Sequence, residues 1–250
     1  MIELNGRVAV VTGGSRGIGW AVSQRLAQAG AEVAILYRRD DQAAEEAVRT
    51  LRDGGAEAEA FRCDVGDEAE VTATIADVVG RFGRVDVLVN NAGVWRRAPL
   101  LETTGRELDL IFRVNLNGAF FLARECARDM LTRSWGRIIQ IGSAAGVRGE
   151  PEHAHYAASK GALFAMSRSL VGELSPRGVT VNVVSPGWVN TDMTEAVLTP
   201  EKLHEVTSGI PTGRLTLGVD VANAVAFLAS PLADQITGAN LDVNGGAVFS

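Results

Sequence analysis

The chain of 250 residues is 46% hydrophobic and carries a formal net charge of −6 at pH 7. This length suits one large α/β core, and no linker, low-complexity tract or repeat divides it, so we expect one domain over 1–250. The charge is spread along the chain, which argues against nucleic acid or an anionic membrane surface as a partner. No apolar stretch approaches the roughly 20 residues of a membrane helix. No targeting segment precedes the first apolar run, so we expect a cytoplasmic protein with small-molecule ligands.

The two cysteines, Cys63 and Cys126, lie far apart and belong to no Cys-x-x-Cys pair or Cys–His cluster. We therefore interpret both as small buried hydrophobic residues. No metal site is predicted, and reduction should leave the fold intact.

Short apolar runs alternate with stretches of helical spacing along the whole chain. The runs predict strands at 7–12, 33–36, 58–62, 85–90, 137–141, 180–184 and 240–243. Helical spacing predicts a first helix that closes at Gly30, then helices at about 41–52, 68–82, 104–116, 119–133 and 156–174. Apolar strands alternating with helices are typical of a parallel sheet. We predict an α/β, single-domain, Rossmann-type doubly wound parallel sheet of about seven strands with helices on both faces, and a substrate lid at about 190–212.

Polar clusters fall at the predicted carboxyl ends of the strands, where sheets of this kind bind ligands. They are 13–19, 37–39, Asp64, 90–93, Ser143 and 186–191. This shared placement predicts one ligand site.

A glycine loop connects the first predicted strand to the first helix. Its glycines, Gly13, Gly17 and Gly19, allow a sharp turn and a close approach to a pyrophosphate, and Ser15, Arg16 and Ile18 complete it. A simple tight turn is the alternative. Because the loop follows a strand and opens a helix, we interpret it as a dinucleotide site.

The end of the second strand decides which dinucleotide binds. Arg38 and Arg39 follow Tyr37 there, and with Arg16 they suit the 2′-phosphate of NADPH. We therefore predict NADPH rather than NADH. In the competing interpretation, Asp40 or Asp41 binds a ribose hydroxyl.

Asp64 closes the third strand, beside Val65. Its carboxylate is a candidate acceptor for the adenine amino group, and a helix N-cap is the alternative.

Tyr156 and Lys160 stand four residues apart, which places both side chains on one face of a helix. An ammonium group there is expected to lower the pKa of the phenol from about 10 toward neutrality. The pair predicts acid–base chemistry.

These motifs together resemble the short-chain dehydrogenase/reductase family over essentially the whole chain. The resemblance is carried by Thr12-Gly13-x-x-x-Gly17-x-Gly19, Asn90-Asn91-Ala92-Gly93, Asn115, Ser143, Tyr156-x-x-x-Lys160 and Pro186-Gly187 through Thr191. It implies that Ser143 and Tyr156 hydrogen-bond a substrate carbonyl and that Tyr156 donates the proton. It also implies that Lys160 holds the nicotinamide ribose and that Asn115 supports a water linked to Lys160.

The resemblance assigns the remaining cofactor contacts as well. Asn91, Ala92 and Gly93 would line the adenine–ribose side, with Asn90 or Asn91 also able to stabilise the sheet. Pro186, Gly187, Val189 and Thr191 would flank the nicotinamide.

Within the family the chain most resembles the 3-oxoacyl-acyl-carrier-protein reductases. This implies an NADPH-dependent reductase of a ketone, with a 3-oxoacyl thioester as one candidate; Arg177 fits one carrier-docking position and Ser134, beside Arg133, occupies another. The alternatives are a dehydrogenase of a sugar, polyol or secondary-metabolite alcohol, and a non-catalytic dinucleotide-binding protein.

Substrate contacts and assembly are the remaining expectations. Trp95 and Trp188 are candidates for an aromatic wall, and we expect Arg96 and Arg97 on an exposed loop. His153 and His155 are interpreted as polar rim residues, with an acid–base role as the alternative. The resemblance implies a homotetramer paired through the helices at 119–133 and 156–174, with the apolar C-terminus at a second interface.

Overall fold

The computed structural model describes residues 2–191, 194 and 198–250. Its strands are β1 (Val8–Thr12), β2 (Glu32–Tyr37), β3 (Ala58–Arg62), β4 (Val87–Asn90), β5 (Gly136–Ile141), β6 (Val179–Pro186) and β7 (Asn240–Val243). Its α-helices are α1 (Gly17–Gln28), α2 (Asp41–Asp53), α3 (Glu68–Phe82), α4 (Gly105–Phe112), α5 (Gly118–Thr132), α6 (Ala144–Arg148), α7 (Ala154–Leu174), α8 (Pro200–Ser208) and α9 (Gly218–Ala229).

The seven strands form one parallel sheet in the order β3-β2-β1-β4-β5-β6-β7. The predicted doubly wound sheet is therefore confirmed. The strand order reverses direction between β1 and β4, and at such a switch point the loops after the strands diverge and leave a crevice.

Alternate residues of the strands enter two separate cores, one on each face of the sheet. On one face, Val11 and Ile35 pack with α1, α2 and α9. On the other face, Val10 and Leu88 pack with α3, α5 and α7. Cys63 and Cys126 are buried free thiols, as predicted.

Several predicted boundaries were wrong. Strand β4 begins at Val87 rather than at residue 85, because the Val85 amide donates to the Asp129 carboxylate at 2.7 Å instead of to a strand. The predicted helices at 104–116 and 119–133 are joined through a π-helical turn, Arg113–Asn117. Helix α9 was not predicted, because it is apolar nearly all round and so gives no amphipathic stripe.

The predicted lid includes α8, whose first turn is capped by the Thr199 hydroxyl accepting from the Lys202 amide at 3.3 Å. Residues 192, 193 and 195–197 of that segment lie outside the described residues. The lid therefore stays a prediction. Within the described ranges no helix is both long and apolar enough to cross a membrane.

Candidate active site

The glycine loop turns back tightly between β1 and α1. Gly13 and Gly17 have left-handed backbones, with φ of +61° and +53°. A side chain at Gly19 would overlap the Gly13 carbonyl oxygen. Ser15, Arg16 and Ile18 are exposed or half-buried on the same turn, so the loop leaves a bare backbone before the start of α1, where a phosphate would sit.

Asn91 ties the loop after β4 to the glycine loop. Its side-chain amide donates to the Thr12 carbonyl at 2.8 Å, and the Thr12 hydroxyl accepts from the Asn91 and Ala92 amides at 2.9 and 2.8 Å. Asn90 donates to the Ala119 carbonyl at 3.1 Å. Asn91 thus joins the loops that follow β1 and β4, whereas Asn90 joins β4 to α5.

At the end of β2, Arg38 lies beside Asp64. Their Nε and Oδ2 atoms are 3.1 Å apart, and the Arg113 guanidinium lies 3.7 Å from the same oxygen. The other Asp64 oxygen accepts from the Gly66 amide at 3.0 Å. Asp64 is therefore surrounded by protein donors. Its alternative role as a helix cap is wrong, because Asp67 caps α3.

The competing ribose ligands are already engaged. Asp40 caps α2 by accepting from the Ala43 amide at 3.0 Å. Burial and the neighbouring Asp41 carboxylate raise the pKa of the Tyr37 phenol, so Asp41 faces that tyrosine. Arg16 and Arg39 are exposed, and Arg38 is half-buried.

Ser143, Tyr156 and Lys160 meet at the carboxyl end of β5. Ser143 follows the strand and caps α6, accepting from the Ala145 amide at 3.1 Å. Tyr156 and Lys160 lie on consecutive turns of α7, with the Lys160 nitrogen 6.0 Å from the centre of the Tyr156 ring. The structure thus brings the three predicted side chains together.

Burial has the largest effect on the pKa values of Tyr156 and Lys160. It raises the pKa of Tyr156 to about 12, although contact with Ser143 lowers it. It lowers the pKa of Lys160 to about 8. The expectation that the ammonium lowers the pKa of the phenol was wrong, because burial has the larger effect on Tyr156 and Lys160 donates to the Ile141 carbonyl at 2.7 Å. Tyr156 therefore keeps its proton at neutral pH.

Asn115 projects from the π-helical turn, next to Lys160. Its side-chain oxygen accepts from the Val94 amide at 2.8 Å, and its nitrogen donates to the Val94 carbonyl at 3.0 Å and to the Ser159 hydroxyl at 3.1 Å. Ser159 in turn donates to the Tyr156 carbonyl at 2.7 Å. The side chain of Asn115 is committed to protein partners, and its role toward a water stays a prediction.

Two of these positioning residues were not predicted from the sequence. Ser159 is three residues from Tyr156, a spacing that places it on a neighbouring face of the helix, and this spacing was the available signal. Arg113 gave no signal, because its partner Asp64 is distant in sequence and comes close only through the sheet.

The segment after β6 extends from the strand to the glycine loop. Pro186 ends the strand, and the Gly187 amide donates to the Val243 carbonyl at 3.2 Å. The Val189 carbonyl accepts from the Thr194 hydroxyl at 2.5 Å. Thr191 lies beside Gly17: a Cβ atom added to Gly17 would be 3.6 Å from the Thr191 methyl group. Val65, the remaining predicted contact, is buried.

Trp95, Trp188 and His153 form an aromatic wall beside Tyr156. Trp95 stacks on His153 with ring centres 4.6 Å apart and meets Trp188 edge-on at 6.0 Å. His153 and His155 are both buried, so their interpretation as rim residues was wrong. His153 immediately precedes α7, where its ring stacks on Trp95, and His155 lies in the first turn of the helix. As predicted, Arg96 and Arg97 are exposed.

The sequence matches known proteins over nearly its whole length. The family model described as Enoyl-(Acyl carrier protein) reductase matches residues 13–248. The 3-oxoacyl-(acyl-carrier-protein) reductase FabG of Escherichia coli (strain K12) is 40% identical over 245 residues, 98% of each chain. FabG of Staphylococcus aureus (strain N315) is 40% identical over 238 residues, 95% of this chain and 96% of that protein. The chain belongs to the short-chain dehydrogenase/reductase family.

Solved structures of the family have the same fold. A gluconate 5-dehydrogenase from Burkholderia cenocepacia J2315, in complex with NADP and tartrate, matches with a TM-score of 0.94 and 36% identity over 98% of this chain and 96% of that chain. A putative NAD(P) dependent gluconate 5-dehydrogenase from Beutenbergia cavernae, with bound NADP, matches with a TM-score of 0.93 and 39% identity over 98% of both chains. This short-chain dehydrogenase/reductase is an oxidoreductase that acts on an alcohol or carbonyl group with a nicotinamide cofactor.

Proposed function

We propose that the enzyme reduces a ketone to a secondary alcohol with NADPH. The observation that carries this proposal is the contact between the Ser143 hydroxyl and the protonated Tyr156 phenol at the open end of β5. Two hydroxyl donors side by side can both hydrogen-bond one carbonyl oxygen and stabilise the charge that develops on it.

Each residue of the trio has a separate task. Ser143 would orient the carbonyl oxygen, and Tyr156 would hold the proton that this oxygen takes up. When bound, the reduced nicotinamide supplies a hydride for the carbonyl carbon. Lys160, beside bare Gly93, is placed to bind hydroxyl groups of the nicotinamide ribose; a side chain at Gly93 would come within 3.5 Å of the Lys160 nitrogen.

The choice of NADPH rests on Arg38, with Arg16 and Arg39 beside it. These guanidiniums suit a phosphate, whereas Asp40 and Asp41 are engaged in a helix cap and with Tyr37. The NADP bound to both gluconate 5-dehydrogenases supports the same choice.

Two substrate classes remain candidates, and different observations favour each. The FabG relatives favour a 3-oxoacyl thioester. The two gluconate 5-dehydrogenase structures, together with the aromatic wall, favour a sugar-derived ketone. For carrier docking, exposed Arg177 is available, but Arg133 is paired with Asp129 and donates to the Val85 carbonyl. The homotetramer and the cytoplasmic location stay predictions.

The test is oxidation of NADPH and NADH against acetoacetyl thioesters of coenzyme A and of acyl carrier protein, 5-ketogluconate and simple ketones, with dinucleotide titration beside it. NADPH-dependent turnover of any ketone supports the proposal, and the best substrate selects the class. Tight NADPH binding without turnover of any ketone would instead favour a non-catalytic dinucleotide-binding protein.

A further inference from the structure

One ring nitrogen of His153 is buried without a hydrogen-bond partner. His153 is only 6% exposed. Its Nδ1 lies 3.0 Å from the Pro151 carbonyl oxygen, and because a carbonyl can only accept, Nδ1 carries the hydrogen. In the neutral ring Nε2 is then an acceptor, and no donor among the described residues reaches it. Buried polar atoms are nearly always hydrogen-bonded, so this acceptor calls for a partner from outside the protein.

His153 immediately precedes α7, the helix that carries Tyr156 and Lys160. It is the N-cap residue, and its carbonyl accepts the first hydrogen bond of the helix, from the Ala157 amide at 2.9 Å. Tyr156 is three residues further on, a spacing that brings side chains near one another on a helix. The ring stacks on Trp95, which meets Trp188, so residues from the loops after β4, β5 and β6 converge here.

The position of the ring is fixed by its surroundings. The Trp95 indole donates to Glu150 at 3.4 Å, and Arg97 binds Glu152 through Nε at 2.6 Å. Glu152 has a left-handed backbone with φ of +62°, a strained conformation that persists only when neighbouring contacts hold it. The two loops are therefore joined at several points, and His153 is held rigidly in place.

We propose that His153 is a specificity-determining residue, whose Nε2 accepts a hydrogen bond from a hydroxyl group of the substrate. The inference rests on the proposed reduction of a ketone and narrows its substrate to a hydroxylated ketone. The flat indole faces suit the C–H surface of such a molecule, while the acceptor suits its hydroxyl. An unsubstituted acyl chain has no donor to offer and would leave Nε2 buried and unpaired, which is unfavourable.

The test compares ketones that differ by one hydroxyl group. 4-Hydroxy-2-butanone is paired with 2-pentanone, and 1-hydroxy-2-butanone with 3-pentanone, so that a hydroxyl replaces a methyl group. The quantity measured is the ratio of kcat/KM within each pair. Intrinsic reactivity of the ketones cancels when this ratio is compared between enzyme variants.

Three variants distinguish the hydrogen-bond acceptor of His153 from its stacked ring. His153→Gln can place an amide oxygen near the Nε2 position, His153→Asn can replace only the Nδ1 donor, and His153→Phe keeps the stacked ring without either nitrogen. The ratio is kcat/KM for the hydroxylated ketone divided by kcat/KM for its unhydroxylated partner. For at least one pair we expect this ratio to fall about tenfold in the Asn and Phe variants and to stay close to the wild-type value in the Gln variant. NADPH affinity reports that each variant is folded.

Failure of this inference differs from failure of the proposed function. Turnover with equal ratios in the wild type and in the Asn and Phe variants would overturn the role of His153 and leave ketone reduction standing. If no ketone is reduced, the ¹⁵N resonance of His153 Nε2 still tests the site in the NADP⁺ complex. A shift with 4-hydroxy-2-butanone but not with 2-pentanone supports the hydroxyl contact, and equal responses to both would overturn it.

Discussion

Arg38 and Asp64 form an ion pair just beyond the carboxyl ends of β2 and β3, with Nε and Oδ2 3.1 Å apart. The arginine that we assign to the 2′-phosphate of NADPH is thus held in place by a carboxylate, whose same oxygen lies 3.7 Å from the Arg113 guanidinium. A phosphate bound there would share Arg38 with Asp64.

Replacing Arg38 with leucine should remove the preference for NADPH. A hydrogen bond to a charged group contributes about 1.5–3 kcal/mol, so we expect the KM for NADPH to rise about tenfold to a hundredfold while that for NADH changes little. Steady-state kinetics with both cofactors measures this change. Arg49→Leu, which removes an exposed guanidinium of α2 paired with Glu46, is the control. Unchanged selectivity in Arg38→Leu would show that Arg38 does not bind the phosphate.

Replacing Asp64 with asparagine tests whether this residue chiefly holds Arg38 or binds the adenine. If Asp64 chiefly holds Arg38, loss of its charge should tighten NADPH binding severalfold, because the 2′-phosphate no longer faces a carboxylate. NADH binding should stay the same. Titration of the protein with each dinucleotide measures both. Equal weakening for both cofactors would instead indicate that Asp64 binds the adenine.

Burial of Lys160 makes the stability of the cofactor-free protein depend on pH. The pKa of Lys160 falls from 10.5 when unfolded to about 8 when folded, so between these values the unfolded state binds more protons and stability rises with pH. Below about pH 8 the lysine is charged in both states, and its burial lowers the free energy of unfolding by about 3 kcal/mol. This cost disappears as pH rises to about 10.5.

Urea denaturation of wild type and Lys160→Met from about pH 7 to about pH 9.5 tests this effect. The free energy of unfolding of the wild type should gain on that of the variant as pH rises. Tyr156, whose pKa is raised to about 12, stays protonated in the folded protein over this range. Lys202→Met, which replaces the chain's other lysine on an exposed helix, should show no such trend. A constant difference between wild type and Lys160→Met would contradict the lowered pKa.

Gly19→Ala should disrupt the glycine loop. The added methyl group would overlap the Gly13 carbonyl oxygen and lie 2.5 Å from the Asn91 amide nitrogen. Overpacking of this kind costs about 1–3 kcal/mol, and the loop must open to relieve it, so dinucleotide affinity should also fall. Gly80→Ala, on an exposed turn of α3 with open space around it, should instead stabilise the protein by about 1 kcal/mol. Thermal melts and NADPH titration of both variants measure the contrast.

The sheet and the catalytic trio were predictable because their signals are local. Strands such as Val8–Thr12 are continuous apolar runs, and Tyr156 and Lys160 are related by helical spacing. Helix α9 was missed because a buried helix shows no polar face. The π-helical turn at Arg113–Asn117 was missed because its extra residue per turn leaves no mark on hydrophobic spacing.

Contacts between distant segments could not be predicted in this way. The stacking of Trp95 on His153 and the approach of Arg113 to Asp64 depend on how loops from different strands meet. The prediction of the Tyr156 pKa was wrong for a related reason. Four-residue spacing predicted that Lys160 acts on the Tyr156 phenol, but desolvation and the Ile141 carbonyl determine both pKa values.

Tyr156 is the proton donor of the proposed mechanism, and substitution by phenylalanine removes its hydroxyl group while keeping the ring. We predict that Tyr156→Phe lowers kcat for NADPH-dependent ketone reduction at least about a hundredfold, the usual contribution of a general acid, while the Kd for NADPH stays near the wild-type value. Tyr37→Phe, the same change at the chain's other tyrosine, should keep the wild-type kcat. Single-turnover NADPH oxidation by the wild type and the two variants is the most direct test. Near-normal turnover by Tyr156→Phe would contradict the proposed mechanism.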